Sequence, residues 1–397
     1  MKDRPMTDLA TIAPTDATAL DLSRKFRGFD RLDAPRVVID ADTLTGNIER
    51  MAALVQGQAA LHPHIKTHKS LEIARLQRQN GAAGFTAARP YEAAMLLREN
   101  LFPVTLAYPQ LSVGTVFELL KEAAQPEHIR FVADSEPTMA ALAEGAQKAG
   151  CRATVFIKVD VGLHRCGVAP AGGAALALAL AAAIDRHPQL IFAGLLSHAG
   201  HAYGAGDAVG VTTIARHELA TMAELRRRVE MAGIAVPCVS VGSTPTLVSN
   251  AGFDGIDEVR PGNYVFYDLT AVRLGIVGRN DVALGVAAHI IAVNAQFAIA
   301  DVGSKTLSSD LGAHGTSATK SFGEAWMPGR ETPLAVEKLS EEHAFLSHGG
   351  DCPAIGAAVL ILPNHACPVA NLSGGMLVLG DGTAREMAVE GFVGRFR

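Results

Sequence analysis

Eight short runs of β-forming residues alternate with helix-forming segments over residues 61–267, and this alternation constrains the fold more than any other feature of the chain. The runs fall at 61–65, 84–87, 104–107, 129–133, 154–160, 191–197, 236–241 and 257–260. Between them, 92–99, 137–148, 172–186 and 213–231 carry Ala and Leu at helical spacing. Parallel strands joined by helical crossovers follow, and eight of them predict a closed (β/α)8 barrel. The low complexity of 171–183 reflects a strong helix former packed outside that barrel. After Tyr267 the pattern changes to alternating runs at 282–302, 356–362 and 375–379, separated by Gly, Pro, Asn and Asp. The fold class is therefore α/β: a barrel over 36–270, then a β-rich C-terminal domain over 271–397 to which 1–35 can contribute. Residues 304–331, rich in Ser, Gly and Lys, read as an irregular excursion able to line a site.

A chain of 397 residues suits a large barrel plus a second module. Its 35 basic and 40 acidic residues form no basic block or aromatic-interleaved basic stripe. This points to a small-molecule substrate and no nucleic acid. Apolar stretches such as 174–184 are too short to span a membrane. The start of the chain, with Lys2, Asp3, Arg4 and Asp8, lacks a secretory apolar segment, so the expected location is cytoplasmic with no membrane partner. Five cysteines, odd in number and scattered, argue against a disulfide framework.

Chemistry concentrates in His62-Pro63-His64-Ile65-Lys66-Thr67-His68-Lys69. A lysine at the end of a buried strand is desolvated, which favours the neutral amine and makes it a Schiff-base former. The competing reading is a histidine-rich basic strand end. Barrel chemistry gathers at the C-terminal strand ends, and polar residues follow the runs there: Lys66, Arg165, then His198, His201 and Tyr203. Gly242-Ser243-Thr244-Pro245-Thr246 and Arg260-Pro261-Gly262-Asn263-Tyr264 follow the last two runs. Small and hydroxyl residues there suit a phosphate group, although turn and N-cap chemistry uses the same types. Farther on, His365 and Cys367 are two apart, a spacing that on a strand puts imidazole and thiolate on one face for a zinc-like ion. A core cysteine beside a surface histidine is the alternative.

Taken in order, the His-x-Lys-Thr-His-Lys, Asp-x-Gly-x-x-Arg-x-Gly, Ser-His-Ala-Gly-His-Ala-Tyr, Gly-Ser-Thr-Pro-Thr, Pro-Gly-Asn-Tyr and Pro-Asn-His-x-Cys segments resemble those of metal-activated, fold-type III pyridoxal phosphate enzymes. The resemblance runs from Arg36 onward and is to the D-serine dehydratase and D-threonine aldolase group, which also holds 3-hydroxyaspartate dehydratases and aldolases. It implies an alanine racemase-like barrel plus β-domain, a homodimer, pyridoxal 5'-phosphate, and a divalent metal: zinc, with manganese, magnesium or cobalt as alternatives. It assigns the cofactor imine and catalysis to Lys66, ahead of Lys69. Cofactor-binding positions are Lys66, His64, Arg165, His198, Tyr203, Ser243, Thr244, Gly262 and Asn263, with Arg165 near the phenolic oxygen. The metal ligands are His365 and Cys367.

The implied reaction is loss of the β-hydroxyl from a D-β-hydroxy amino acid, with D-serine giving pyruvate and ammonia as the expected case. Alternatives are D-threonine or 3-hydroxyaspartate aldolase or dehydratase activity and, less favoured, a non-catalytic pyridoxal phosphate-binding protein or a racemase. His365-x-Cys367, where the group's aldolases tend to carry His-x-Asp, leans towards elimination. Lys305, His314, Lys320 and Glu342-His343 receive no role.

Overall fold

A computed structural model describes residues 19–33, 35–249, 251–313 and 319–391. The strands are β1 (Arg36–Asp40), β2 (Ala60–Leu61), β3 (Phe85–Ala87), β4 (Val104–Leu106), β5 (Ile129–Ala133), β6 (Ala153–Val159), β7 (Leu190–Ser197), β8 (Val239–Val241) and β9 (Glu258–Val259). They continue as β10 (Leu284–Val293), β11 (Phe297–Ala300), β12 (Gly323–Trp326), β13 (Leu334–Leu339), β14 (Ala344–Ser347), β15 (Ala358–Pro363), β16 (Gly375–Gly380) and β17 (Thr383–Ala388).

Strands β2 to β9 form an eight-stranded parallel sheet in the order β2-β9-β8-β7-β6-β5-β4-β3. Each expected run holds one of them. The sheet nearly closes into a barrel where His64 bridges Thr86 and the Thr86 N–H donates to Pro63 O at 2.8 Å. Helices Pro90–Arg98, Glu136–Ala149, Pro170–Arg186 and Ala208–Met231 are among the crossovers. The barrel strands are almost wholly buried, as β-sheets covered on both faces are, which is why they read as short apolar runs. The first run is shorter than expected, because Pro63 lacks an N–H and the chain then turns into the one-turn helix Ile65–Thr67.

Inside the barrel lies a cluster of buried charge. The Glu258 carboxylate lies 2.8 Å from Arg130 Nη2 and accepts from Ser240 Oγ at 2.6 Å, and Arg260 donates to Ser240 Oγ and Ser197 O. Although Glu258 also lies 3.2 Å from His62 Nδ1, that nitrogen accepts from Arg130 at 2.8 Å, so the imidazole is neutral and the pair is not an ion pair. Burial agrees, since it is the main cause that pushes His62 down to about 4.

The other sheet has nine strands in the order β11-β14-β13-β12-β15-β10-β1-β16-β17. Residues 36–40, expected with the barrel, thus belong to this sheet: β1 runs antiparallel to β10 and parallel to β16. The 304–331 stretch is less irregular than expected, since it holds the helix Ser304–Leu307 and strand β12. Glu342 and His343 sit in the β13–β14 turn, where Ser340 N donates to His343 O, and Glu342 pairs with Lys305 at 2.9 Å on the surface. Lys320 is exposed, and His314 lies outside the described residues. All five cysteines are free, and among the described residues no helix is long and apolar enough to cross a membrane.

Replacing Glu258 with Gln strands Arg130 and Arg260 without their carboxylate and should cost about 3–5 kcal/mol, measurable by equilibrium denaturation. His62 sets an acid limit. Unfolded imidazole protonates near 6.5 and the folded one only near 4, so its contribution is complete above 6.5 and is lost as pH falls from 6.5 to about 4. Urea midpoints followed across that window should decline, and decline less in His62→Gln.

Candidate active site

The Lys66 turn sits at the C-terminal mouth of the barrel, clamped from two sides. On one side His64 N donates to Pro261 O at 2.8 Å, and Gly262 approaches so closely that a Cβ there would lie 3.0 Å from His64 O and 3.1 Å from Thr67 Oγ1. No other residue type fits that approach without displacing the turn. On the other side the helix Ala366–Leu372 lies over it, with Cys367 Sγ 3.3 Å from Thr67 Oγ1.

Asp268 fixes that helix. Its buried carboxylate accepts from Thr270 N and Ala271 N through Oδ1, and from Asn263 Nδ2 at 2.8 Å and Ala366 N at 3.0 Å through Oδ2. One side chain therefore joins the Gly262-Asn263 turn to the start of the helix bearing Cys367. His365 is the N-cap of that helix and Cys367 lies in its first turn. The expectation of a strand is corrected here: β15 ends at Pro363, and the chain turns before the pair. Their closeness survives because the two positions still share one cavity.

That cavity, of about 350 Å³, is lined by His64, Lys66, His198, Tyr203, Ser243, Thr244, Gly262, Asn263, His365 and Cys367 among others. Of the residues expected at the site, Arg165 alone lies off this wall. It lines a small adjoining cleft that shares Lys66, His64, His198 and Arg260 with the main cavity. His201 packs instead against Gly162. Lys69 reaches the cavity but is engaged, donating to Tyr91 OH at 2.9 Å and Asn371 Oδ1 and pairing with buried Glu92 at 3.3 Å. Sequence reading missed Glu92, Asn371, Arg89 and Asp310. Only Glu92 carried a signal, as an acid within an otherwise apolar helical stretch.

The electrostatics favour neutral bases. Burial is the chief cause that lowers the Lys66 amine, opposed by Cys367 and Glu92 and aided by Arg165. Burial likewise holds His64 and His198 well below the usual imidazole range, with Lys66 adding to it. Lys158, buried in β6 and donating to Ala107 O at 2.7 Å, is pushed down to about 8, mainly by burial. Burial also raises the Tyr203 phenol well above its ordinary value, so it stays protonated. For Cys367 burial acts upward, yet His365, Lys66 and Thr67 outweigh it and the thiol is lowered. His365 is raised, with Cys367 and Asp310 overcoming burial.

These groups fit the expected cofactors. A cavity of about 350 Å³ around an amine whose protonated form is disfavoured by burial, with the Ser243, Thr244 and Tyr203 hydroxyls in its wall, accommodates a phosphorylated aromatic aldehyde. His365 Nδ1 lies 3.0 Å from Asp310 Oδ2, an arrangement that leaves Nε2 as the donor to a metal. Imidazole and thiolate together suit a zinc-like ion. Among the described residues no cluster of three metal-ligating side chains forms.

Comparison with known proteins gives a consistent picture. The model of the alanine racemase N-terminal domain matches residues 39–270, and that of a putative serine dehydratase domain matches 283–379. The chain is 32% identical to D-threo-3-hydroxyaspartate dehydratase of Delftia sp. over 85% of its length and 91% of the relative's. It is 28% identical to D-threonine aldolase of Arthrobacter sp. (91% and 94% covered) and 26% identical to D-serine dehydratase of Dictyostelium discoideum (85% and 91% covered). The solved structure of the Delftia protein superposes with a TM-score of 0.83 at 29% identity, covering 91% of this chain and 98% of the other. A cysteine-to-alanine variant of that protein is described in a metal-free form.

The Asp310 contact makes a prediction. Asp310→Ala should weaken zinc binding roughly 10- to 100-fold by freeing the His365 ring, read by competition with a chromophoric chelator.

Proposed function

Because the chain belongs to the alanine racemase N-terminal domain family, joined to a serine dehydratase-type domain within the fold-type III pyridoxal phosphate enzymes, we propose that it is a metal-dependent lyase acting on D-β-hydroxy amino acids by β-elimination. The observation that carries this reading is the single cavity in which Lys66 faces His365 and Cys367. Relatives similar over most of their length include two dehydratases and an aldolase, and one of the dehydratases is described with a metal-free variant.

Bound pyridoxal phosphate supplies the electron sink that acidifies the substrate's Cα–H bond. A divalent cation, when bound, supplies the Lewis acid that a poor leaving group such as hydroxide needs. The chain's own residues do the rest. Lys66 Nζ, whose protonated form burial disfavours, takes the Cα proton. The Cβ–O bond then breaks and hydroxide departs as water on protonation. The resulting enamine hydrolyses to a keto acid and ammonia, which for D-serine means pyruvate. His365 and Cys367 would hold the cation, which would stabilise the departing hydroxide, and Asp310 would keep the His365 ring in the ligating orientation. Ser243, Thr244, Gly262 and Asn263 form the phosphate side, and the protonated Tyr203 phenol offers a hydrogen bond there.

Retro-aldol cleavage would need a base for the substrate hydroxyl. The neutral His64 and His198 imidazoles in the same wall are bases of that kind, so the leaning towards elimination rests on the His365-x-Cys367 pair. D-Serine, D-threonine and 3-hydroxyaspartate assayed in parallel should yield keto acid and ammonia; glycine or glyoxylate as the main product would reverse the assignment to aldol cleavage. Chelation should remove the activity and zinc restore it, and Lys66→Ala should lower kcat by about a thousandfold or more.

A further inference from the structure

Arg89 lines the main cavity and is exposed, at the N-cap of helix Pro90–Arg98 directly after β3. Every other cation of that wall is occupied or neutral. Lys66 is reserved for the cofactor, and Lys69 is balanced by Glu92. Arg260 serves Ser240 and Ser197 beside Glu258 and Glu218, while His64 and His198 are uncharged through burial. Among the described residues Arg89 makes no ion pair with a carboxylate. A guanidinium at a cavity mouth without an acid partner is a ready bidentate receptor for a carboxylate from solution.

A chain of contacts starts at its helix. Tyr91, two residues on, bonds Lys69 Nζ; Lys69 bonds Asn371 Oδ1; and Asn371 is four residues, one helical turn, beyond Cys367. The helix that Arg89 caps is thus tied, through Tyr91 and Lys69, to the helix that carries Cys367. The substrate atom that approaches the pair is the β-hydroxyl, and a second carboxylate would branch from the same β-carbon.

We infer that Arg89 is a specificity-determining residue that binds a substrate's second carboxylate, making 3-hydroxy diacids preferred over D-serine. This rests on the lyase reading above for the placement of the β-carbon. The closing experiment uses the holoenzyme and non-reacting ligands. D-Aspartate and D-alanine, which differ by the distal carboxylate and both lack the β-hydroxyl, are titrated while the cofactor absorbance is followed. Wild type should prefer D-aspartate by about tenfold or more, Arg89→Gln should collapse that ratio towards one, and Arg89→Lys should keep part of it. Equal affinity of wild type for the two ligands, or an equal loss for both in Arg89→Gln, would overturn the assignment, the latter because the guanidinium would then serve the α-carboxylate. Kinetics separate the two proposals: a D-aspartate preference that depends on Arg89 in a protein forming no keto acid from any β-hydroxy amino acid sinks the elimination reading and leaves the diacid site standing.

Discussion

The Asp268 carboxylate, wholly buried and accepting from Asn263, Thr270, Ala271 and Ala366, is the contact through which the two sheets share a site. A buried charge with four donors is stabilising where an unpaired one would be costly, so the geometry around it is strongly specified. On one side it orders the turn after β9 that presses Gly262 against the Lys66 helix. On the other it starts the helix that carries Cys367. Loss of this one carboxylate would loosen both walls of the cavity at once.

The barrel was legible because its strands are buried on both faces and so appear as short apolar runs between helical segments. Their C-terminal ends then announced Lys66, His198, Tyr203 and the Gly242 to Thr246 and Gly262-Asn263 turns. The second sheet was only partly legible. Strands β13 and β17 carry exposed charged residues such as Glu337, Lys338, Arg385 and Glu386 and give weak alternation, and β14 is only four residues long. Strand β1 was not among the expected runs and fell to the barrel only through the boundary drawn at residue 36, since a strand's own residues do not say which sheet it joins. His365 and Cys367 were recognised by spacing, yet placed on a strand, since two residues of separation cannot distinguish a strand face from a helix start. Asp310, Asn371 and Arg89 had no signal at all: the first two acquire meaning only from a partner far away in sequence, and Arg89 only from its place in the cavity wall.

The charge inside the barrel serves a different end from the charge at its mouth. Glu258, Arg130 and Arg260 satisfy one another below the site, and Arg260 also reaches the cavity wall. The interior therefore adds positive charge beneath Lys66, on the side away from Cys367 and Glu92, only through cations that are themselves balanced by Glu258. Behind burial, Arg165 lowers both Lys66 and Lys158, and Lys66 adds to the lowering of Lys158, a field that suits an anionic, phosphorylated guest.

The membership of β1 in the second sheet has a consequence for how such a chain can be made. Between Asp40 and Leu284 the polypeptide leaves that sheet, builds the entire barrel, and returns to lay β10 beside the strand it left behind. During ribosomal synthesis the early strand must wait, its edges unpaired, through more than two hundred residues of translation. A barrel intermediate with a dangling amino-terminal edge is thus the species that quality-control machinery in the cell would meet, and a single cut at the junction could not yield two self-sufficient halves.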